Sequence, residues 1–313
     1  MKALDLFCGA GGLALGFRKA GFEVTGVDKN ASAEETFEIN RIGDFIKADL
    51  SKVVIEQDHY DMILGGPPCK PWATVNLVRR GIEHHDYYLL SKYFKHVQMH
   101  GPAAFLLENV PAVANSSLLK KNISKIKKLG YSVEGQCVRY SEFGAPTRRR
   151  RYILFGIKRA SAKTFFARLA HFKRGPRTLR DVIWYLRNRE KGSVRDHDWP
   201  ELQTIDKYRE YYQESKYGWY ILKWKEPAPS FGNVMKTYIL HPDAFNGGTT
   251  RVISVKEAML IMGFNRTFNF PKKCGLGARY QMVADSVSPE FSFVAGKVAR
   301  EMLEDVSQDD TSN

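Results

Sequence analysis

Seven short apolar runs, separated by stretches with helical patterning, constrain this chain more than any other feature. They are Ala3–Phe7, Val24–Val27, Phe45–Ala48, Tyr60–Leu64, Ala103–Leu107, Ser132–Val138 and Tyr152–Gly156. Several are continuous rather than alternating, as a strand buried on both faces requires. Between them, one helix is expected from Gly12 to a C-terminal glycine at Gly21. Another opens with Ser32 and Glu35 at capping-box spacing. A third, around Leu118–Leu129, is Lys-rich on its exposed side and stops at Gly130. This alternation predicts an α/β fold built on a doubly wound sheet.

The character changes after about Gly175. From there to about Arg251 the chain is rich in Trp, Tyr, Arg and Lys, including Trp184, Trp199, Trp219 and Trp224, with weak periodicity. We expect a smaller, loop-rich domain over 184–252, beside a large domain formed by 1–183 and completed by 253–313. Helical patterning returns at Ser254–Gly263, where Val255, Met259 and Met262 share a face, and again at Pro289–Leu303. The acidic, polar tail Glu304–Asn313 is expected to be disordered.

Lys and Arg number 48 against 34 Asp and Glu, a net charge of +14. Such an excess points first to nucleic acid and second to an acidic membrane surface. The four cysteines, Cys8, Cys69, Cys137 and Cys274, form no CxxC pair. No metal site and no disulfide framework are therefore expected, and a reducing cytosol fits. The opening MKALDLFCGAGG has no signal-peptide pattern, and no apolar stretch is long enough to span a membrane.

The first run leads into Phe7-Cys8-Gly9-Ala10-Gly11-Gly12. Glycines allow a sharp turn and close approach to a ligand, with a helix N-terminus behind. Asp28 ends the second strand, where a carboxylate can accept from both ribose hydroxyls. Asp49 follows the third, where it can meet an adenine amino group. Alone, the turn could serve a dinucleotide or only a tight helix–sheet contact, and Asp28 alone could be a turn residue. The set favours an adenosine-containing cofactor, and the absence of G-x-G-x-x-G argues against a nicotinamide dehydrogenase.

Gly65-Gly66-Pro67-Pro68-Cys69 follows the fourth strand, with two prolines stiffening the loop that presents a thiol. A reactive cysteine needs an electropositive setting, and Lys70, Arg79 and Arg80 follow closely. Glu108-Asn109-Val110 ends the fifth strand, which aims a carboxylate into the ligand crevice. Arg148–Arg151 run directly into the seventh, so Arg149 and Arg151 share one face.

In this order, LDLFCGAGG, GGPPC, ENV and the basic run before YILFG resemble the cytosine-5 DNA methyltransferases of the prokaryotic restriction–modification type. Arg251-Val252-Ile253-Ser254 with Glu257, Gly263-Phe264 and Ser286-Val287 extend the resemblance over nearly the whole chain except 175–225. It implies a Rossmann-like S-adenosylmethionine-binding domain, a small target-recognition domain, duplex DNA as substrate, a monomer, and a cytoplasmic, nucleoid-associated enzyme. It leaves open whether a cognate restriction endonuclease acts separately. By motif, Cys69 is similar to the nucleophile that attacks cytosine carbon 6. Glu108 is similar to the group that holds the ring nitrogen and exocyclic amine, and Arg149 and Arg151 to the pair that supports them. Phe7, Gly9, Ala10, Gly11, Gly12, Leu13, Asp28, Asp49, Leu50, Pro68, Asp285 and Ser286 fall at the cofactor pocket. Three places depart from the pattern: Thr147 for Gln, Lys70-Pro71-Trp72 for Gln-x-Phe, and Ala284-Asp285 for Gly-Asn.

The implied chemistry is thiolate addition to carbon 6, which makes carbon 5 nucleophilic, with Glu108 protonated or sharing a proton with ring nitrogen 3. The base must leave the duplex. The region Trp184–Arg251 is expected to read the groove, unless its aromatics are core. A tRNA cytosine-5 methyltransferase of the same fold is the runner-up. A non-catalytic nucleic-acid-binding module should have lost PPC or ENV, and both are intact.

Overall fold

The computed structural model describes residues 1–56, 58–72, 81–202, 204–214, 219–236 and 239–311. Seven strands form the main sheet: β1 (Lys2–Leu6), β2 (Glu23–Asp28), β3 (Asp44–Lys47), β4 (Met62–Gly65), β5 (Ala104–Asn109), β6 (Tyr131–Arg139) and β7 (Arg150–Lys158). Each expected strand is present. The order is β3-β2-β1-β4-β5-β7-β6. Pairs β1–β2, β1–β4, β2–β3 and β4–β5 are parallel, whereas β7 runs antiparallel to both β5 and β6.

The helices are α1 (Gly12–Lys19), α2 (Ala31–Ile39), α3 (Leu89–His100), α4 (Ser117–Lys127), α5 (Ala162–His171), α6 (Leu179–Ile183), α7 (Thr204–Lys207), α8 (Arg209–Gln213), α9 (Val255–Met262), α10 (Leu276–Asp285) and α11 (Pro289–Thr311). Among the described residues, no helix is long and apolar enough to cross a membrane.

Alternation along each strand sends its side chains into two cores, one on each side of the sheet. On β5, Ala104 and Leu106 join a cluster with α1, α5 and α11, while Phe105 and Leu107 join another with α3 and α4. Covering both faces with helices explains the uninterrupted apolar runs. Phe105 is fully buried, and truncating it to Ala would cost about 3–5 kcal/mol.

Two expectations need correction. Helix α2 is capped by Asn30, whose side chain accepts from the Ser32 amide at 2.9 Å, and not by Ser32 with Glu35. The tail does not end its order at Leu303: α11 continues to Thr311. Met302 and Leu303 are buried, Val306 packs on the core, and Asp305 pairs with Arg168 at 2.7 Å. An acidic, polar composition is compatible with helix where one stripe still finds a core.

Between 184 and 252 the chain is mostly loop, with α7, α8 and a two-residue parallel pair, β8 (Tyr220–Ile221) and β9 (Ile239–Leu240). Its Trp199, Tyr212, Phe231 and Val234 belong to the same apolar cluster as α9. Trp219 and Trp224 pack against that cluster, so three of the four tryptophans are packing residues. Trp184 is exposed, with the guanidiniums of Arg180 and Arg187 over its ring at 4.8 and 4.7 Å.

Candidate active site

In an open α/β sheet, ligands bind beyond the carboxyl ends of the strands, where the strand order reverses. Here the order runs outward from β1 through β2 to β3, then returns to β4 on the other side of β1. The loops after β1 and β4, Phe7–Gly12 and Gly66–Cys69, therefore leave the sheet side by side. The end of β5 brings Glu108 to the same edge. Because β7 is antiparallel, with Tyr152 opposite Asn109, its beginning lies where the parallel strands finish. Arg149 and Arg151 reach the crevice by that reversal.

The loop bearing Cys69 is tied to β5. Asn109 is buried, and its side-chain amide donates to the Pro67 carbonyl at 2.9 Å while its Oδ1 accepts from the Val110 amide at 2.8 Å. The Trp72 amide closes a turn on the Cys69 carbonyl at 2.9 Å. Cys69 itself is a half-buried free thiol. Burial pushes its thiol above the ordinary value. Arg151 opposes that shift, Glu108 and Asp285 reinforce it, and Arg149 opposes it again. The acting cations thus come from β7 and the residue just before it. Of those expected from the adjacent sequence, Lys70 is exposed, and Arg79 and Arg80 lie outside the described residues.

Glu108 is buried, and its Oε1 accepts a hydrogen bond from the Tyr140 hydroxyl at 3.0 Å and forms an ion pair with Arg151 Nε at 3.0 Å. Oε2 faces the cysteine loop, 3.4 Å from where a side chain at Gly66 would begin. Arg149 behaves differently from Arg151. Its Nη2 donates to the Ala284 carbonyl at 2.6 Å and its Nη1 to the Phe231 carbonyl at 3.3 Å, leaving Nε buried without a partner. Burial brings this guanidinium down to about 10. Arg149 is thus a brace between β7, α10 and the chain near Phe231, and its charge reaches Cys69 only through space. Thr147, where the resemblance leads one to expect Gln, is fully buried and donates to the Pro229 carbonyl at 3.4 Å.

On the β1 side, Gly9 and Gly11 adopt φ of +53° and +75°, and Phe7 +60°. A Cβ on Gly9 would meet nothing within 4 Å, so the turn opens onto free space. A Cβ on Gly12 would lie 2.2 Å from the Val287 carbonyl, so α1 starts hard against the segment after α10. Asp28 accepts from the Gly9 amide at 3.1 Å on Oδ2 and from the Asn30 amide at 2.9 Å on Oδ1, and each oxygen keeps a lone pair for a hydroxyl. Asp49 takes Ser51 on Oδ1, with Lys29 4.0 Å from Oδ2. An open glycine cradle flanked by two carboxylates fits an adenosine with a ribose. Ala10, Leu13 and Leu50 are buried in the core and shape the loops from behind. Pro68 is half-buried beside Cys69.

Asp285 is exposed, and both its oxygens accept from Gln281 at 2.8 Å within its own helix. Its charge acts on Cys69, which motif matching did not suggest. Ser286 is buried and donates to the Met282 carbonyl at 2.6 Å.

Three residues were not singled out from sequence. Asn109 lay inside a quoted motif. Asp5 is buried with Oδ1 unpartnered, and burial raises its carboxyl to about 8. Tyr140 carried no signal, being 32 residues from its partner. Among the described residues, His84, His85 and Asp86 form one group whose ligand atoms could share a cation, although the Asp86 amide already donates to His84 Nδ1 at 3.1 Å.

A model of C-5 cytosine-specific DNA methylases matches residues 1–303. The chain is similar to the type II methyltransferase M.FnuDI of Fusobacterium nucleatum, with 28% identity over 97% of this chain and 96% of that one. It is also similar to the type II methyltransferase M.HgiDI of Herpetosiphon aurantiacus, with 27% identity over 94% and 92%. Among solved structures, the Entamoeba histolytica methyltransferase EhMeth aligns with a TM-score of 0.72 over 98% of each chain, at 16% identity, a likeness of fold alone.

Proposed function

The chain belongs to the C-5 cytosine-specific DNA methylase family, and from that premise we propose that Cys69 is its nucleophile, Glu108 its proton donor to the base, and Arg151 the cation that serves both. The observation that carries this reading is the convergence of Arg151 on Glu108 Oε1 at 3.0 Å beside the Cys69 loop.

The family uses S-adenosylmethionine, which when bound supplies an electrophilic methyl group. Gly9, Gly11, Gly12 and Phe7 would line it, Asp28 would take its ribose hydroxyls, and Asp49 its adenine amine. Pro68, Ala10, Leu13, Leu50 and Ser286 would shape the walls. Asp285 would have to release Gln281, which now donates to both its oxygens, to join this set.

Cys69 Sγ, as thiolate, bonds to cytosine carbon 6, and the carbon 5–carbon 6 electron pair becomes available at carbon 5. Glu108 gives a proton to ring nitrogen 3, so negative charge does not accumulate on the ring. After carbon 5 gains the methyl group, solvent takes its proton, the double bond re-forms and expels the thiolate, and ring nitrogen 3 returns its proton to Glu108. Burial disfavours thiolate in the resting protein, and Arg151 is the larger of the two opposing positive influences. A cysteine kept mostly as thiol until the base arrives is protected from adventitious alkylation.

Reaching carbon 6 requires a flipped cytosine, at a cost of roughly a few kcal/mol. We assign 1–183 with 253–313 to the catalytic domain and 184–252 to target recognition on duplex DNA. The exposed Trp184, with Arg187 of that segment and Arg180 of the adjoining catalytic domain over its ring, is the surface best suited to a nucleic acid.

The test is transfer of labelled methyl from S-adenosylmethionine to duplex DNA and, separately, to tRNA, using wild type, Cys69→Ala and Glu108→Gln. Label in DNA that is lost in Cys69→Ala is the expected result. Undiminished transfer by Cys69→Ala would overturn the assignment, and label confined to tRNA would overturn the substrate.

A further inference from the structure

Glu108 Oε1 has two protein partners, the Tyr140 hydroxyl through a hydrogen bond and Arg151 Nε through an ion pair. Tyr140 supplies one of them from the turn between β6 and β7. It is fully buried, its ring stacks on Phe291 with centroids 5.4 Å apart and planes at 25°, and its backbone amide donates to the Arg149 carbonyl at 3.0 Å. Backbone and ring are therefore both held, and the hydroxyl has a fixed place.

We propose that Tyr140 is a positioning residue for the reaction: with Arg151 it holds Glu108 Oε1 as a permanent acceptor, and so leaves the proton that cytosine receives on Oε2. This rests on the reading of Glu108 given above. A carboxyl group carries its proton on the oxygen that is not already accepting. Arg151 has only donors to offer. The tyrosine hydroxyl donates to Oε1 at 3.0 Å, and burial pushes it well above its ordinary value, so it keeps its proton. Oε2 is the oxygen turned towards Gly66 and the Cys69 loop, where the base must lie. A hydrogen bond and an ion pair on one oxygen also restrain the carboxyl from rotating, which keeps proton delivery and thiol attack in register. The other charged or titratable groups facing this cluster are Arg149, Cys69 and Asp285.

Tyr140→Phe removes the hydroxyl and keeps the ring on Phe291. The measurement is kcat and KM for labelled methyl transfer to duplex DNA across pH, with folding checked by thermal unfolding. The expected result is a kcat lower by about tenfold, as for one hydrogen bond to a charged group, with KM for both substrates within about twofold. A folded Tyr140→Phe with unchanged kcat and pH profile would make the residue packing only. If Tyr140→Phe does not fold, 3-fluorotyrosine at position 140 keeps the shape and donates more strongly. Its kcat should change while KM for both substrates stays within about twofold, and an unchanged kcat overturns the proposal. Glu108→Gln separates this idea from its premise: full kcat in that variant refutes the role of Glu108 itself, whatever Tyr140 does.

Discussion

The side-chain amide of Asn109 donates to the carbonyl of Pro67 at 2.9 Å, joining the end of one strand to the loop that follows its neighbour. The residue before Asn109 is the carboxylate Glu108, and two residues after Pro67 stands Cys69. One buried hydrogen bond thus sets the spacing between the two reacting side chains.

Asn109→Asp tests that tie. The shape is kept, but an acceptor now faces the Pro67 carbonyl. A buried carbonyl left without its donor costs about 1–3 kcal/mol. Urea unfolding should show a loss of that order, and kcat should fall on the order of a hundredfold as the loop loses its register. A stable variant with normal kcat would show that the prolines alone hold the loop.

Cys69 should alkylate slowly at neutral pH and faster as pH rises, because burial holds its thiol above the ordinary value. In Arg151→Gln the opposing cation is gone, and the rate at pH 7.5 should fall by roughly threefold to tenfold. Iodoacetamide labelling followed by mass spectrometry reads this directly, with exposed Cys137 as an internal reference. Equal rates at Cys69 in both proteins would remove Arg151 from the thiol's environment.

Two glycines in the first loop should respond in opposite ways. Gly9→Ala adds a methyl group in open space at φ +53°, a strain of roughly 1–2 kcal/mol. That protein should fold and lose S-adenosylmethionine affinity by at least about tenfold, since a methyl in the cradle displaces ligand atoms. Gly12→Ala meets the Val287 carbonyl at 2.2 Å and should be markedly less stable. Calorimetric titration and thermal unfolding distinguish them. Full affinity in Gly9→Ala would place the cofactor elsewhere.

Stability should fall with acid between pH 6.5 and about 4. His241 is buried against Glu257, its Nε2 3.7 Å from the carboxylate, and burial lowers its imidazole from 6.5 to about 4. The unfolded chain binds a proton at the higher pH that the folded chain takes only at the lower. Stability is therefore full above 6.5 and is lost on descent, by about 3 kcal/mol in all. Glu257, whose carboxyl is held below its ordinary value by Arg251 despite complete burial, loses stability in the same direction further down. Urea midpoints measured from pH 7 to 4 should show the slope, and His241→Gln should flatten it. A slope unchanged by that variant would put the proton elsewhere.

Much of this was legible in the residues. The seven strands could be read because a strand covered on both faces must be apolar throughout, and β4 and β5 are buried along their whole length. The reactive loops could be read because Gly and Pro restrict the backbone whatever surrounds it. The tail was misread because polar composition hid the stripe of Met302, Leu303 and Val306, whose partners lie far away in sequence.

What the sequence determined by itself was therefore local: strands, turns, the order of the motifs, and the fact that Arg149 and Arg151 lie on one face. Only the tertiary structure decided that Arg151 meets Glu108 while Arg149 is spent on the carbonyls of Phe231 and Ala284, and that Tyr140 completes the site. The physical reason is that β-strand alternation fixes direction but not partner. Partners follow from the antiparallel entry of β7 beside β5 and from the packing of Tyr140 on Phe291, and both depend on contacts between segments distant in the chain.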